Sequence, residues 1–322
     1  MSPNAIRTWP SSARASVASA TVREAVYGAP LAALAEVASD AIQLSPLVLG
    51  AEPIESLPDA SLARIVILAP PGTLERRYVL AHALRTVAPG GELIALALKG
   101  MGGARLAGEL RSFGCAVADT AKRHHRICRC LRPGEPIGLE AAIAEGGLQL
   151  LPALGLWSQP GIFSWNRIDP GSALLVAQPW TPTGAGADLG CGLGVLSRAV
   201  LASSSVSEIT LIDIDRRSIE AAKLNVTDPR ARFFQHDLRR PPRRPVRLDF
   251  AIMNPPFHDG GAEDRSLGRA FVDTAAAMLG PGGILRMVAN VALPYEALLA
   301  DRFSRVTQLA RGEGYKVLEA VT

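Results

Sequence analysis

Three segments in the second half of the chain place carboxylates and glycines where a bound ligand would meet them. Ala187-Asp188-Leu189-Gly190-Cys191-Gly192-Leu193-Gly194-Val195 lies between a short apolar run and a helical pattern. A second apolar run ends in Leu211-Ile212-Asp213-Ile214-Asp215, and a third ends in Phe233-Phe234-Gln235-His236-Asp237-Leu238. Glycines let the backbone approach a ligand closely, and a helix starting near Val195 offers free N–H groups to a carboxylate. Asp188 is the discriminating residue, because a carboxylate at the loop entrance repels a pyrophosphate and attracts an ammonium group. Asp213, nineteen residues past Gly194, is placed to accept hydrogen bonds from a ribose diol, as acids do at the end of the second strand in dinucleotide folds. Asp237 is placed to receive an adenine amino group. Singly, each acid reads as a helix cap or a solvated side chain. Their succession at strand ends points to S-adenosylmethionine, because ligands of open α/β sheets sit at those ends. The candidate cofactor residues are Asp188, Gly190, Cys191, Gly192, Asp213, Ile214, Asp237 and Leu238, with Asn254 at the border of the site.

Asn254-Pro255-Pro256-Phe257-His258 follows the apolar run Phe250-Ala251-Ile252-Met253. On these residues the chain resembles the class I S-adenosylmethionine-dependent methyltransferases whose Asn/Asp-Pro-Pro-aromatic motif modifies an exocyclic amine or amide nitrogen. The residue types suit that chemistry. An amine conjugated to a purine is a poor nucleophile, so its two hydrogens must be held while the lone pair points at the methyl group. The Asn254 side-chain oxygen and the Pro255 carbonyl can accept them, and the prolines fix the turn in advance. Phe257 offers a stacking face for the base. The candidate catalytic residues are Asn254, Pro255 and Phe257; the other reading of Asn-Pro-Pro is a simple turn.

Further segments narrow the resemblance: Gly161-Ile162-Phe163-Ser164, Ile168-Asp169-Pro170-Gly171-Ser172-Ala173-Leu174-Leu175, Val288-Ala289-Asn290 through Pro294-Tyr295, and Tyr315-Lys316-Val317. With the two motifs above they resemble the small-subunit ribosomal RNA guanine-N2 methyltransferases of the C type. The resemblance is strong over residues 159–322 and loose before them. It implies two methyltransferase-like halves, the first without a cofactor site. It also implies that Asn254 and Pro255 bind a guanine amine, that Phe257 stacks on the base, and that Asp188, Gly190, Gly192, Asp213 and Asp237 hold the cofactor. The chain departs from the family at Gly314-Tyr315, where Arg-Phe is usual.

The elements that position these residues read as a repeat. Arg64-Ile65-Val66-Ile67-Leu68-Ala69-Pro70-Pro71, a helical stretch and Pro89-Gly90-Gly91-Glu92-Leu93-Ile94 run in the same order as Leu248 to Pro256, a helical stretch and Pro281-Gly282-Gly283-Ile284-Leu285. Each unit predicts strand, Pro-Pro turn, helix, Pro-Gly-Gly turn, strand, helix and closing strand. The strands are too continuously apolar to have one wet face. The expected fold is α/β: a tandem duplication of a Rossmann-like methyltransferase fold, each half a mostly parallel seven-stranded sheet with a reversed last strand. Residues 1–132 are read as the degenerate domain, 133–158 as a linker and 159–322 as the catalytic domain. Ala69 and Gly72 stand in the first unit where Asn254 and Phe257 stand in the second.

Composition narrows the remaining classes. At 322 residues, 48% apolar, 20% charged and 5% aromatic, the chain is of ordinary globular type. Its longest apolar runs are cut short by charge, so no membrane span is expected. Four cysteines without a CxxC pair suit a reducing compartment, and cytoplasm is the expected location. The start of the chain, with Arg7, Arg14, Arg23, several serines and no acid, has a transit-peptide flavour but no secretory apolar core. Residues 1–132 carry 15 Lys+Arg against 10 Asp+Glu, while residues 133–322 carry 19 against 20, which suggests a polyanionic partner for the first part. Lys122 to Arg132 and Arg239, Arg240, Arg243, Arg244 and Arg247 are candidate phosphate contacts. No ligand pair at metal spacing accompanies the His and Cys residues of the first cluster, so no metal is expected. The sequence is compatible with a monomer and fixes no oligomeric state.

The resemblance implies methylation of a guanine N2 in small-subunit (16S) ribosomal RNA, with the RNA or the small subunit as partner. Rival substrates are large-subunit rRNA guanine, adenine N6 in tRNA or DNA, and release-factor glutamine. A rival of another class is an RNA-binding assembly protein without turnover.

Overall fold

The computed structural model describes residues 23–240, 247–256, 258–259, 262–263 and 265–322, and the side chains of 257–265 are not considered. The Arg/Ser-rich start, Arg243, Arg244 and Phe257 therefore lie outside the described residues.

The first sheet contains β1 (Glu24–Tyr27), β2 (Ile42–Gln43), β3 (Leu62–Leu68), β4 (Val87–Leu98), β5 (Ala118–Lys122) and β6 (His125–Leu131), in the order β2-β1-β3-β4-β6-β5. Helices α1 (Thr73–Thr86) and α2 (Ala104–Ser112) connect its strands. Next come α3 (Leu139–Gly146) and a hairpin of β7 (Gln149–Leu151) with β8 (Leu156–Ser158). The segment read as linker thus carries its own elements: Ala142 joins the first core, and Cβ atoms at Gly146 or Gly147 would abut the Tyr78 ring region of α1.

The second unit runs α4 (Pro170–Val176), β9 (Gly184–Leu189), α5 (Val195–Val200), β10 (Val206–Asp213), α6 (Arg216–Asn225), β11 (Ala231–Gln235) and β12 (Leu248–Met253). It continues through the short pair β13 (His258–Asp259) and β14 (Ala262–Glu263), then α7 (Arg265–Met278), β15 (Leu279–Asn290), α8 (Tyr295–Ala300), β16 (Arg305–Gly312) and β17 (Tyr315–Val321). Its sheet has the order β11-β10-β9-β12-β15-β17-β16.

Both sheets are covered on two sides, as continuous apolar strands require. On β3, Ile65 and Ile67 face one core while Val66 faces another; on β12, Ala251 and Met253 oppose Phe250 and Ile252 in the same way. The Pro-Gly-Gly turns match, with φ of +77° at Gly90 and +76° at Gly282, a left-handed conformation that glycine adopts without strain. The two sheets share one order apart from β11, which has no counterpart among the described strands of the first. That sheet therefore has six described strands where seven were expected, because the chain between β2 and β3 forms a short 3-10 turn at Ile54–Ser56 and no strand. The segment expected to close each unit as one strand is a hairpin: β6 runs antiparallel to both β4 and β5, and β17 to both β15 and β16. Arg123 (φ +47°) and His124 (φ +63°) make the first hairpin's turn.

The basic cluster on that hairpin is largely occupied. Arg126 pairs with Asp119, Arg129 with Glu92 at 3.3 Å, Arg132 Nε donates to the Leu84 carbonyl at 2.6 Å, and Lys122 Nζ donates to the Ala33 carbonyl at 2.8 Å. These partners lie 7 to 89 residues away, too irregularly spaced for the sequence pattern to announce them.

Candidate active site

The glycine loop follows β9 as expected. Gly190, Gly192 and Gly194 have φ of +76°, +51° and +79°, so side chains at these positions would strain the loop. The loop is tied to β10 by the N–H groups of Gly190 and Cys191, which donate to the Ile212 carbonyl at 2.8 and 3.1 Å. Asp213 fastens it further: its Oδ2 accepts from Gly192 N at 2.9 Å and its Oδ1 from Asp215 N at 2.9 Å. Burial raises the Asp213 carboxyl to about 6.

A cavity of about 440 Å³ opens over the carboxyl ends of β9, β10, β11 and β12, within the size range of small-molecule sites. Gly190, Gly192, Asp213, Ile214, Asp237, Leu238, Asn254 and Pro255 line it. The fold thus gathers residues that are up to 65 positions apart in the chain. Two candidates are placed differently. Cys191 turns into the apolar core, where burial pushes its thiol well above the usual range. Asp188 is fully buried below the loop and does not line the cavity. Its Oδ2 accepts from Ser197 N at 3.1 Å and Ser197 Oγ at 2.7 Å, while Oδ1 has no hydrogen-bond partner. Burial raises this carboxyl to about 7. An orphaned acceptor beneath the loop, with Asp213 and Asp237 at the next two strand ends, fits a ligand bearing an ammonium group, a ribose and an adenine.

Asp237 is set by its neighbour. It accepts from Arg239 N, Nε and Nη2 at 3.0, 2.8 and 3.0 Å, and the Arg239 hydrogen bonds hold its carboxyl below the ordinary value. The Asp237 carboxylate is therefore ionised and fixed in direction.

Asn254 directly follows β12, and its Nδ2 donates to Asp169 Oδ2 at 2.8 Å and to Ser172 Oγ at 2.9 Å. Both amide hydrogens are consumed, so Oδ1 is left as the group available to accept. Asp169 is the N-cap of α4, accepting from Ser172 N at 2.8 Å with Pro170 in the first helical position. Asp169-Pro170 announces a helix start, but nothing in the sequence announces the tie to Asn254, 85 residues later. The cavity is also lined by Phe163, from a segment that carried the resemblance without a site role, by Leu267 and Phe271, which no motif singled out, and by Leu47, which reaches it from the first half of the chain. The two halves meet here. Arg217 pairs with Asp215 at 2.8 Å and with Glu75 of α1 at 2.6 Å, and Arg216 pairs with Glu55 at 2.9 Å.

The arrangement can seat an adenosyl ligand along the ends of β10 and β11, and it can present one fixed acceptor, Asn254 Oδ1, at the end of β12. Residues 153–319 match the methyltransferase small domain family. The ribosomal RNA small subunit methyltransferase C of Pseudomonas aeruginosa (strain LESB58) is 32% identical to the chain over 82% of it and 80% of that protein. The protein of the same name from Acinetobacter baylyi is 28% identical over the same shares. Among solved structures, the Thermus thermophilus 16S rRNA N2 G1207 methyltransferase, in complex with AdoMet and guanosine, superposes with a TM-score of 0.70 at 26% identity, covering 84% of this chain and 76% of that one.

Proposed function

The chain belongs to the ribosomal RNA small subunit methyltransferase C family, and from that premise we propose that it methylates the exocyclic N2 of a guanine in 16S ribosomal RNA with S-adenosylmethionine as donor. The observation that carries the reading at this site is the oriented amide of Asn254, whose donors are both spent on Asp169 and Ser172.

When bound, the cofactor supplies a methyl group made electrophilic by a sulfonium. Asp213 accepts from the ribose hydroxyls and Asp237 from the adenine amine, with Ile214 and Leu238 as apolar neighbours. Asp188 contributes from below the loop, its free Oδ1 favouring a cation there. Gly190 and Gly192 keep the loop open to the ligand, and Cys191 anchors it in the core. Asn254 Oδ1 and the Pro255 carbonyl each accept one N–H of the guanine amine, which leaves the N2 lone pair directed at the methyl carbon. Held this way, N2 could take the methyl group as its bond to sulfur broke, and the surplus proton, acidic once N2 is alkylated, could pass to water. No strong base is required. Phe257 serves as the stacking face.

The matching strand orders and Pro-Gly-Gly turns support descent of the two halves from one unit by duplication, with residues 1–132 as the degenerate copy, 133–158 as the connection and 159–322 as the catalytic domain. In the first copy, the site equivalent to the Asn-Pro-Pro turn is plugged. Arg76 Nη1 donates to the carbonyls of Pro70 and Pro71 at 3.1 and 2.7 Å, where the second copy must leave a carbonyl free for the amine. Function on ribosomal RNA suits a cytoplasmic protein, and no described helix is long and apolar enough to cross a membrane.

The test is incubation with methyl-labelled cofactor and small subunits from a strain lacking the enzyme, followed by nucleoside analysis. Label in N2-methylguanosine is expected. Label in N6-methyladenosine would keep the role of Asn254 and overturn the substrate.

A further inference from the structure

One wall of the cofactor cavity comes from the half that has no glycine loop. Leu47 lines the cavity together with Ile214, Asp215, Ser218, His236 and Asp237, yet it belongs to the loop after β2 of the first sheet. Two sets of hydrogen bonds hold that loop. On its own side, Gln43 Oε1 accepts from the N–H groups of Gly28, Leu44 and Ser45 at 3.2, 3.0 and 2.9 Å, and Gln43 Nε2 donates to the Gly28 carbonyl at 2.9 Å. Leu44 is fully buried in the first core. On the far side, the Pro46 carbonyl accepts from Arg216 N at 3.0 Å and from Gln235 Nε2 at 3.1 Å. Gln235 Nε2 also donates to the Ile214 carbonyl at 3.0 Å, so a single amide links the loop to the ends of β10 and β11.

Those two strand ends carry Asp213 and Asp237, the acids assigned to ribose and adenine. Leu47 is thus held beside the strand ends assigned to the adenosine. Leu47 is 50% exposed, so it keeps apolar area that another apolar surface could cover with a gain in free energy. A purine ring is such a surface.

We propose that Leu47 is a cofactor-binding residue: the degenerate half completes the catalytic half's site by supplying the apolar wall at its adenosine end. The inference rests on the cofactor site described above. It gives the first half a role in binding the donor besides any role toward RNA, and it makes donor affinity depend on the contact between the halves.

The experiment measures binding, without turnover, on the full chain. S-adenosylhomocysteine and 5′-methylthioadenosine, which lacks the amino-acid portion, are titrated calorimetrically into the protein and its variants. Leu47→Ala is expected to weaken both ligands about fivefold, the loss that follows from uncovering roughly one methylene's worth of contact on a half-exposed side chain. Leu47→Asp is expected to weaken both by about tenfold or more, because it removes the apolar contact and puts in its place a charge that a covering purine would desolvate. Leu47→Met should bind as the parent does. Leu49→Ala, in the same loop but off the cavity, should also leave both affinities unchanged. Thermal unfolding without ligand checks that the half-exposed substitutions leave the fold intact. Parental affinity in both Leu47→Ala and Leu47→Asp would overturn the proposal, as would weakening of S-adenosylhomocysteine with methylthioadenosine untouched. If the parent protein itself binds neither ligand, the cofactor site fails as well; if it binds both and is indifferent to Leu47, only this inference fails.

Discussion

Asn254 Nδ2 lies 2.8 Å from Asp169 Oδ2, a carboxylate oxygen that also caps α4 through Ser172 N. A carboxylate accepts and never donates when ionised, so this contact decides which end of the amide faces the cavity. Asn254→Ala should lower the single-turnover methylation rate by about a thousandfold, the range seen when a positioned transition-state partner is removed, with cofactor affinity within about threefold of the parent's. Asp169→Ala should lower the rate less, by about ten- to a hundredfold, because the amide can then rotate. It should also cost about 1 kcal/mol of stability through the lost cap. Rapid-quench turnover set beside cofactor titration separates the two effects; full activity in Asn254→Ala would remove the residue from the mechanism.

Donor binding should depend on pH. The folded carboxyls of Asp188 and Asp213 stand at about 7 and about 6, raised above the ordinary 3.8 by burial. A raised carboxyl binds its proton more tightly when folded than when unfolded. Its contribution to stability is therefore full below about pH 4 and is lost as pH rises toward 6 to 7. A cationic ligand favours the ionised forms, so donor affinity should rise between pH 5 and pH 7.5 while the stability of the unliganded protein declines over the same interval. Calorimetry in buffers of differing ionisation enthalpy should register protons released on binding at pH 6. Asp188→Asn should flatten the upper part of the affinity profile. An affinity independent of pH across this window would show that neither carboxyl titrates with ligand.

The contact between the halves should be energetically unequal in its two ion pairs. Arg217 and Glu75 are nearly buried, with side chains 7% and 11% exposed, whereas Glu55, the partner of Arg216, is 37% exposed. Glu75 is the first-turn acid of α1 and its carboxyl is raised by burial, with Arg217 opposing that rise. Glu75→Ala should destabilise the protein by about 2–3 kcal/mol, less than a fully orphaned charge because Asp215 still pairs with Arg217. Glu55→Ala should cost under about 1 kcal/mol. Denaturant melts of both variants give the comparison, and equal losses would contradict this ranking.

Much of the site was legible because its chemistry is local. The glycines of the loop, Asp213 and Asp237 each end a strand that the apolar pattern marks, and Asn254-Pro255 is a contiguous turn. What escaped depends on contacts across the fold. Asp169 reads as a cap from its Pro170 neighbour, and only the folded chain brings it to Asn254. Asp188 is read from the sequence as a carboxylate at the loop entrance; β9 buries it there against Ser197, since a residue at the end of a central strand has both faces covered. The hairpin arginines suggested an open basic face, but Asp119 and Glu92 answer two of them from adjacent strands. Leu47 had no signal at all, because a leucine between Pro46 and Val48 looks like any loop residue.

The plugged Pro-Pro turn of the first half yields the last prediction. Arg76 is fully buried, its Nε and Nη2 donate to Glu109 at 2.6 Å each, and its Nη1 holds the two proline carbonyls. This bidentate pair fills the place where the other half must admit an amine, and it locks α1 to α2. Arg76→Met alone leaves Glu109 buried without its partner and should cost about 3–5 kcal/mol. Joining it with Glu109→Met removes the stranded charge, so the double variant should recover most of that loss and fall within about 1–2 kcal/mol of the parent. Neither change touches the cofactor cavity, so the double variant should bind S-adenosylhomocysteine with parental affinity. Urea unfolding of the two single variants and the double variant measures the coupling directly. If the single and double losses simply add, the guanidinium is not compensating Glu109, and the first half is held together by its apolar core alone.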